Sequence, residues 1–201
     1  MPLGGPNERA NSLQENLEAE TKAGFYAIAS PPKEGSAQCE LLIKRTDANS
    51  WLCEAGPGDV VPTSPAMGKG FNMAEVADAE TVLLFACGTG ISPIRAAIES
   101  GQLEGKDTTL YFGARRAATM PFERLFATWE ADFGVKVVPV LSQGNGGKVR
   151  AGYVQKALAE DGVKNAAKTA ALLCGMKDMT EAVKGLLADA GVNEGKVLMN
   201  F

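Results

Sequence analysis

The stretch Thr81–Ser100, TVLLFACGTGISPIRAAIES, constrains the fold more than any other part of the chain. Thr81–Cys87 is an unbroken apolar and β-branched run bounded by glycine, which predicts a strand buried on both faces. Gly88-Thr89-Gly90 follows, and then a segment of helical character opening at Ser92-Pro93. Proline suits the first turn of a helix, where its missing N–H is not needed, and Ser92 can cap that turn. A strand, a glycine turn and a helix N-terminus together form an anion site. The backbone N–H groups point outward, the helix dipole favours negative charge, and glycine lets a pyrophosphate approach closely. Gly88, Thr89 and Gly90, with Ser92 and Pro93 behind them, thus read as a dinucleotide-binding turn. A G-x-G with Pro93 where the usual fingerprint has a third Gly or Ala also fits a plain buried strand–turn–helix.

From Thr81 onward strand and helix patterns alternate. Strands are expected at Thr81–Cys87, Thr108–Gly113, Lys136–Ser142, Ala170–Gly175 and Lys196–Phe201. Helices are expected at Pro93–Ser100, Pro121–Phe133, Ala151–Glu160 and Asp178–Ala190. Repeated βα units with buried strands specify an α/β fold, a five-stranded doubly wound parallel sheet covered on both faces. Ligands of such sheets sit beyond the carboxyl ends of the strands, where the strand order reverses. The loops 88–92, 113–120, 142–150 and 175–178 are therefore the informative ones.

The preceding part has another character. Phe25–Ser30 and Gln38–Arg45 are short β-rich runs around Pro31-Pro32-Lys33-Glu34-Gly35, and they read as a hairpin with an irregular loop. Ser50–Ala55 reads as one helical turn, and Val60–Ser64 as a third short strand. So few strands cannot close a barrel. This part is expected to be a partial, truncated β-barrel. Residues 1–22 are polar and acidic, expected to be a disordered or loosely attached lead in which Leu13 and Leu17 mark at most one short helix. The division expected is thus 1–22, 23–75 and 76–201.

Composition enters mainly by exclusion. A chain of 201 residues, 45% of them hydrophobic, can fill a sizeable core, and no apolar run approaches the ~20 residues that span a bilayer. Its net charge of −4, without a Lys/Arg cluster, gives no nucleic-acid groove. Cys39, Cys53, Cys87 and Cys174 are widely spaced and read as reduced thiols, with no metal or iron–sulfur pattern. The absence of histidine excludes Ser-His and Cys-His triads and His-ligated zinc. No G-K-[ST] follows the glycine turn, which excludes a P-loop NTPase.

Several motifs follow one another in a recognisable order: GTGISPIR at 88–95, YFGAR at 111–115, VPVLS at 138–142, GYVQ at 152–155 and LLCGMKDM at 172–179. In that order and spacing the chain resembles the NAD(P)-binding half of the ferredoxin–NADP reductase family, in particular plant chloroplast FAD/NAD(P)-binding oxidoreductase-like proteins of the fruit-ripening type. The resemblance covers roughly residues 24–201. It implies that Gly88, Thr89 and Gly90 cradle the pyrophosphate of NAD or NADP. It places Cys174, Gly175 and Met176 beside the nicotinamide, where a small side chain and a glycine leave the ring room. After the second strand the chain offers Arg115 and Arg116, which suit a 2′-phosphate and equally fit two solvated surface charges. Phe122 falls where the family stacks an aromatic on adenine, and it also fits as the first core residue of its helix.

The flavin half matches less well. The family's R-x-Y-S/T segment corresponds to Gly24-Phe25-Tyr26-Ala27, which retains only Tyr26, expected against the isoalloxazine of FAD. The turn that binds the flavin diphosphate aligns with Thr46-Asp47-Ala48-Asn49, with Ala48 at its hydroxyl position. Phe201 can take the place of the terminal aromatic that covers the flavin, or be the last core residue of the final strand. Two readings stay open at this point. One is an NAD(P)H-dependent, flavin-type electron-transfer module with a degraded flavin site and a protein electron acceptor. The other is a catalytically silent relative acting as a structural subunit or nucleotide sensor in a larger chloroplast assembly. By the resemblance, the location implied is the chloroplast stroma or the thylakoid surface.

Overall fold

The computed structural model describes residues 24–144 and 149–200. The expectations for residues 1–22 and for Phe201 lie outside them. Contacts divide the chain into two units: residues 43–68, with the residues leading up to Tyr26, in one, and 27–42 with the chain from Lys69 onward in the other.

The first unit has little regular structure. A 3₁₀ turn at Asp47–Asn49 runs into helix α1 (Ser50–Glu54), and an Arg45–Glu54 ion pair closes over it. Val60–Ser64 forms no strand. The runs expected as a hairpin meet in the second unit at one antiparallel bridge, Ile28 with Leu41, fixed by Ala29 N–H donating to the Glu40 carbonyl at 2.8 Å. Their β-rich composition does not extend into a ladder. Pro31 and Pro32 cannot donate ladder hydrogen bonds, and a two-stranded ribbon without a covered face is marginal in water.

In the second unit the chain from residue 81 builds a sheet. Its strands are β1 (Thr81–Cys87), β2 (Asp107–Ala114), β3 (Val135–Leu141), β4 (Arg150–Ala151), β5 (Thr169–Cys174) and β6 (Val197–Met199). They lie in the order β4-β3-β2-β1-β5-β6, and every pairing is parallel. The sheet thus has six strands where five were expected. The extra one, β4, is a two-residue edge strand with no hydrophobic run to announce it. Its shortness leaves Pro139 of β3 largely beside an open edge, where a missing donor is tolerated.

The helices are α2 (Ile91–Glu99), α3 (Phe126–Phe133), α4 (Val154–Asp161) and α5 (Lys177–Asp189). Strand alternation divides the core cleanly. Val82, Leu84 and Ala86 of β1 face a cluster with Ile94 and Ile98 of α2 and Trp129 of α3. Leu83 and Phe85 face the other cluster, with Leu158 of α4 and Val183 and Leu187 of α5. Strand order runs outward from β1 to β4 and then restarts at β5 on the other side of β1. The reversal therefore falls between the carboxyl ends of β1 and β5.

Candidate functional site

Both glycine-containing turns singled out by the sequence end at that reversal. Ala86 pairs with Cys174, so β1 delivers Gly88–Gly90 and β5 delivers Gly175–Met176 to the same edge. Gly88–Gly90 is a 3₁₀ turn that runs directly into α2, whose N-cap is Gly90. The helix begins two residues earlier than proline placement implies. Ser92 is consequently not the cap: it is buried within the first turn and makes no capping hydrogen bond, and Pro93 is the third helical residue.

The two glycines of the turn have different reasons to be glycine. Gly88 has φ +54°, a left-handed conformation that glycine adopts without cost, and no atom lies within 4 Å of where its Cβ would be. The space over Gly88 is open, as it is over other left-handed glycines such as Gly101 and Gly134, and what sets Gly88 apart is its place at the β1/β5 reversal. Gly90 has ordinary dihedrals, but a Cβ there would sit 2.2 Å from the Cys174 carbonyl oxygen. Its side chain is excluded by the neighbouring strand end, not by an approaching phosphate. Gly175 is constrained in the same way, since its Cβ would lie 2.5 Å from Cys87 Sγ.

Cys87, which sequence reasoning did not select, ties the two turns together. Met176 N–H donates to its Sγ at 3.2 Å. Burial pushes the Cys87 thiol up, and the Met176 N–H only partly offsets this. Burial, with Cys87 adding to it, pushes the Cys174 thiol up to about 11. Both are neutral at physiological pH, so Cys174 is shaped for packing and position rather than for nucleophilic attack. A cleft of about 280 Å³ opens beside this turn, lined by Leu173, Cys174, Gly175, Lys177, Glu181 and Asn200 among others. Met176 stands exposed at its edge of the sheet.

At the ends of β2 and β3, pairing continues past the strands: Ser142 N–H donates to the Ala114 carbonyl at 3.0 Å and Gln143 N–H to that of Arg115 at 2.9 Å. Arg115 and Arg116 thus have a fixed backbone and exposed side chains, and neither forms an ion pair among the described residues. Across β3 from them, at the same end of the sheet, Tyr153 stands 60% exposed before α4. The rule that pointed to the arginines, a strand's carboxyl end, also points to Tyr153. Gln155 beside it carries a buried Oε1 without a partner among the described residues.

Phe122 is a packed residue. It lies against the α2–α3 core cluster, and the Arg95 guanidinium sits 4.6 Å from its ring centroid. Arg95 is itself buried and bonds Glu40 at 2.6 Å and Glu99 at 2.9 Å, and Trp129 Nε1 donates to Glu99 at 3.0 Å. Burial works against the Arg95 charge, but the two carboxylates outweigh it and hold the guanidinium protonated. The φ of +60° at Phe122 is thereby held in place by cation–π contact and core packing.

In the first unit, Tyr26 is half-buried with its ring folded over Gly24, where an added Cβ would meet the ring at 2.8 Å. The turn aligned with the flavin-diphosphate segment is closed on itself. Thr46 N–H donates to Asn49 Oδ1 at 2.7 Å, and Asn49 Nδ2 donates to the Lys44 carbonyl at 3.0 Å. Asp47 is exposed, and Ala48 brings no hydroxyl to the turn. Among the described residues no group of acidic, Cys or His side chains fits a metal, and no helix is long and apolar enough to cross a membrane.

Comparison with known proteins bears on the family and the fold. Residues 84–185 match the family model described as the oxidoreductase NAD-binding domain. The fruit protein pKIWI502 of Actinidia deliciosa is 34% identical over 192 residues, covering 89% of this chain and 59% of that protein, so the chain spans about three-fifths of its relative. Among solved structures, a ferredoxin NADP+ reductase from Neisseria gonorrhoeae with bound FAD and NADP is 16% identical, with a TM-score of 0.66 over 87% of this chain and 77% of that one. The CS-b5R domains of human Ncb5or in the NAD+ form are 19% identical, with a TM-score of 0.74 over 88% of this chain and 54% of that one. At such identities these structures establish the fold. The chain therefore belongs to the oxidoreductase NAD-binding domain family.

Proposed function

We propose that this chain is the nicotinamide-nucleotide-binding module of a reductase-type oxidoreductase whose dinucleotide seat is intact and whose flavin seat is degraded. The observation that carries the reading is Gly88: a left-handed glycine with open space above it, at the β1/β5 reversal and beside the Cys174–Gly175 turn. Backbone N–H groups of the 3₁₀ turn and of α2 would bind the pyrophosphate. Arg115 and Arg116 would hold a 2′-phosphate and favour NADP over NAD, with Tyr153 offering its ring to the adenine. Cys174, Gly175 and Met176 would border the nicotinamide. A bound NAD(P)H supplies the hydride. The chain's part is to orient the ring in the cleft and keep the neighbouring thiols neutral.

FAD fits less well, because the Thr46–Asn49 turn commits its Thr46 N–H and its Asn49 amide internally and has no hydroxyl at Ala48. That observation favours the second reading, in which the module binds nucleotide as a sensor or as a subunit of a larger assembly. One purification separates the two. A stoichiometric flavin, visible as absorbance near 450 nm (roughly, a property of the cofactor class), together with NAD(P)H-driven reduction of an artificial acceptor, makes it a working reductase. NADPH binding without flavin is the outcome this reading expects, and an acceptor would then draw on a flavin held by a partner. Binding of neither cofactor would overturn it.

A further inference from the structure

Arg150 lies at the same strand-end edge as Arg115 and Arg116, yet the structure uses it differently. It opens β4, and two of its nitrogens are taken: one donates to Asp161 Oδ1 at 2.6 Å, the other to the Ala157 carbonyl at 3.3 Å. Both partners belong to α4, so the side chain runs along the helix that follows its own strand. The second oxygen of Asp161 accepts the Tyr111 hydroxyl at 2.9 Å. Tyr111 is buried in β2 and stacked on Phe85 of β1 at 5.2 Å between ring centroids. Asp161 therefore links an edge strand and the end of its helix to the centre of the sheet. Arg150 and Tyr111 hold its carboxyl below the usual range, so the link stays charged at neutral pH.

The segment closed by this link is the turn 151–153, which presents Tyr153. Gly152 N–H donates to the Leu141 carbonyl at 2.9 Å, and Leu141 pairs with Ala114 on its other side. With strands spaced about 4.8 Å apart, this turn stands about 10 Å across β3 from the start of the Arg115–Arg116 loop. That span is within reach of one nucleotide.

We propose that Asp161 is a positioning residue for the dinucleotide seat. It fixes the turn that carries Tyr153 and withdraws Arg150 from the ligand, leaving phosphate selectivity to Arg115 and Arg116. The proposal rests on the dinucleotide reading above. Because the carboxylate acts on the seat and not on the phosphate, its loss weakens NADPH and NADH alike.

The test is calorimetric titration of the full chain with NADPH and with NADH, comparing the parent with Asp161→Asn, Arg150→Gln, the double variant and Arg150→Lys, each checked by near-UV circular dichroism. Asp161→Asn and Arg150→Gln should each raise both Kd values about tenfold, the scale of one charged hydrogen bond, and leave their ratio unchanged. The double variant should lose no more than the weaker single, since the two act as one link. Arg150→Lys, which keeps the charge, should recover most of the affinity. A merely structural link would lower the melting temperature and leave the Kd values of the folded variants unchanged, which would overturn the proposal. Loss of NADPH affinity alone in Arg150→Gln would also overturn it, making Arg150 a direct phosphate ligand. A parent that binds neither nucleotide would instead overturn the dinucleotide reading itself, and the role of Asp161 with it.

Discussion

Residues 24–80 carry five prolines and residues 81–200, about twice as many residues, carry three, and the two regions stabilise backbone in opposite ways. In the later region every strand is paired, and β1 has full neighbours on both sides. In the earlier region the described residues hold one antiparallel bridge, and Phe25, Val60 and Met67 stand 81%, 71% and 68% exposed. The difference is one of completeness as well as of proline content. A β-rich run becomes a strand only when neighbours satisfy its hydrogen bonds and cover its apolar face, and the sheet supplies both to β1.

The comparison can be broken most forcefully by emptying each region in turn. Leu172→Ala removes a fully buried side chain from β5 and should cost about 2–5 kcal/mol in denaturant unfolding. Met67→Ala should stay within about 0.5 kcal/mol. Equal losses would mean that the earlier region contributes a core of its own. Within the sheet, Gly90→Val should cost about 3 kcal/mol, because its Cβ meets the fixed Cys174 carbonyl. Gly88→Ala should cost only about 1–2 kcal/mol, since the strain is confined to one left-handed residue and nothing stands in its way. A Gly90 variant is therefore a probe of folding, and a Gly88 variant is a probe of binding.

How much of this was legible in the sequence follows from the same contrast. The course of β1 and the helices could be read because burial leaves a continuous apolar or periodic pattern. The hairpin could not be judged from its runs alone, because pairing depends on partners the runs do not contain. Proline position points to Ser92 as the cap, but the 3₁₀ turn of Gly88–Gly90 leads the helix in earlier and makes Gly90 the cap. The constraint on Gly90 is invisible in the sequence because the Cys174 carbonyl arrives from a distant strand. Cys87 carries no special spacing, and only the register of the sheet brings it to Met176. Tyr153 lies in the GYVQ motif after a strand end, but the two-residue β4 leaves no hydrophobic run to mark that end.

Smaller effects sharpen the account of the sheet's carboxyl edge. Replacing Arg115 and Arg116 together by Ala should weaken NADPH by about 1.5–3 kcal/mol and NADH little, with the preference shrinking as salt rises. The pH dependence of stability should be modest and confined to acid. Arg95 holds Glu40 below its ordinary 4.5, and Arg150 with Tyr111 holds Asp161 below 3.8. Groups lowered on folding contribute stability that is present above those values and lost as pH falls through the folded ones. Thermal melts should therefore be flat near neutrality and fall below about pH 4.5 (the ordinary Glu40 value), less steeply in Glu40→Gln.

The central claim is that an open, left-handed Gly88 at the β1/β5 reversal seats a nicotinamide dinucleotide. Hydrogen exchange of the full chain with and without NADPH, beside a calorimetric titration of the parent and of Gly88→Ala, tests it directly. Saturable one-to-one binding, slowed exchange across 88–92 and 174–177, and clearly weaker binding by a folded Gly88→Ala are the expected results. No binding of NADPH or NADH up to about 1 mM, the boundary of roughly 4 kcal/mol in affinity, or protection that bypasses the Gly88 turn, would contradict it.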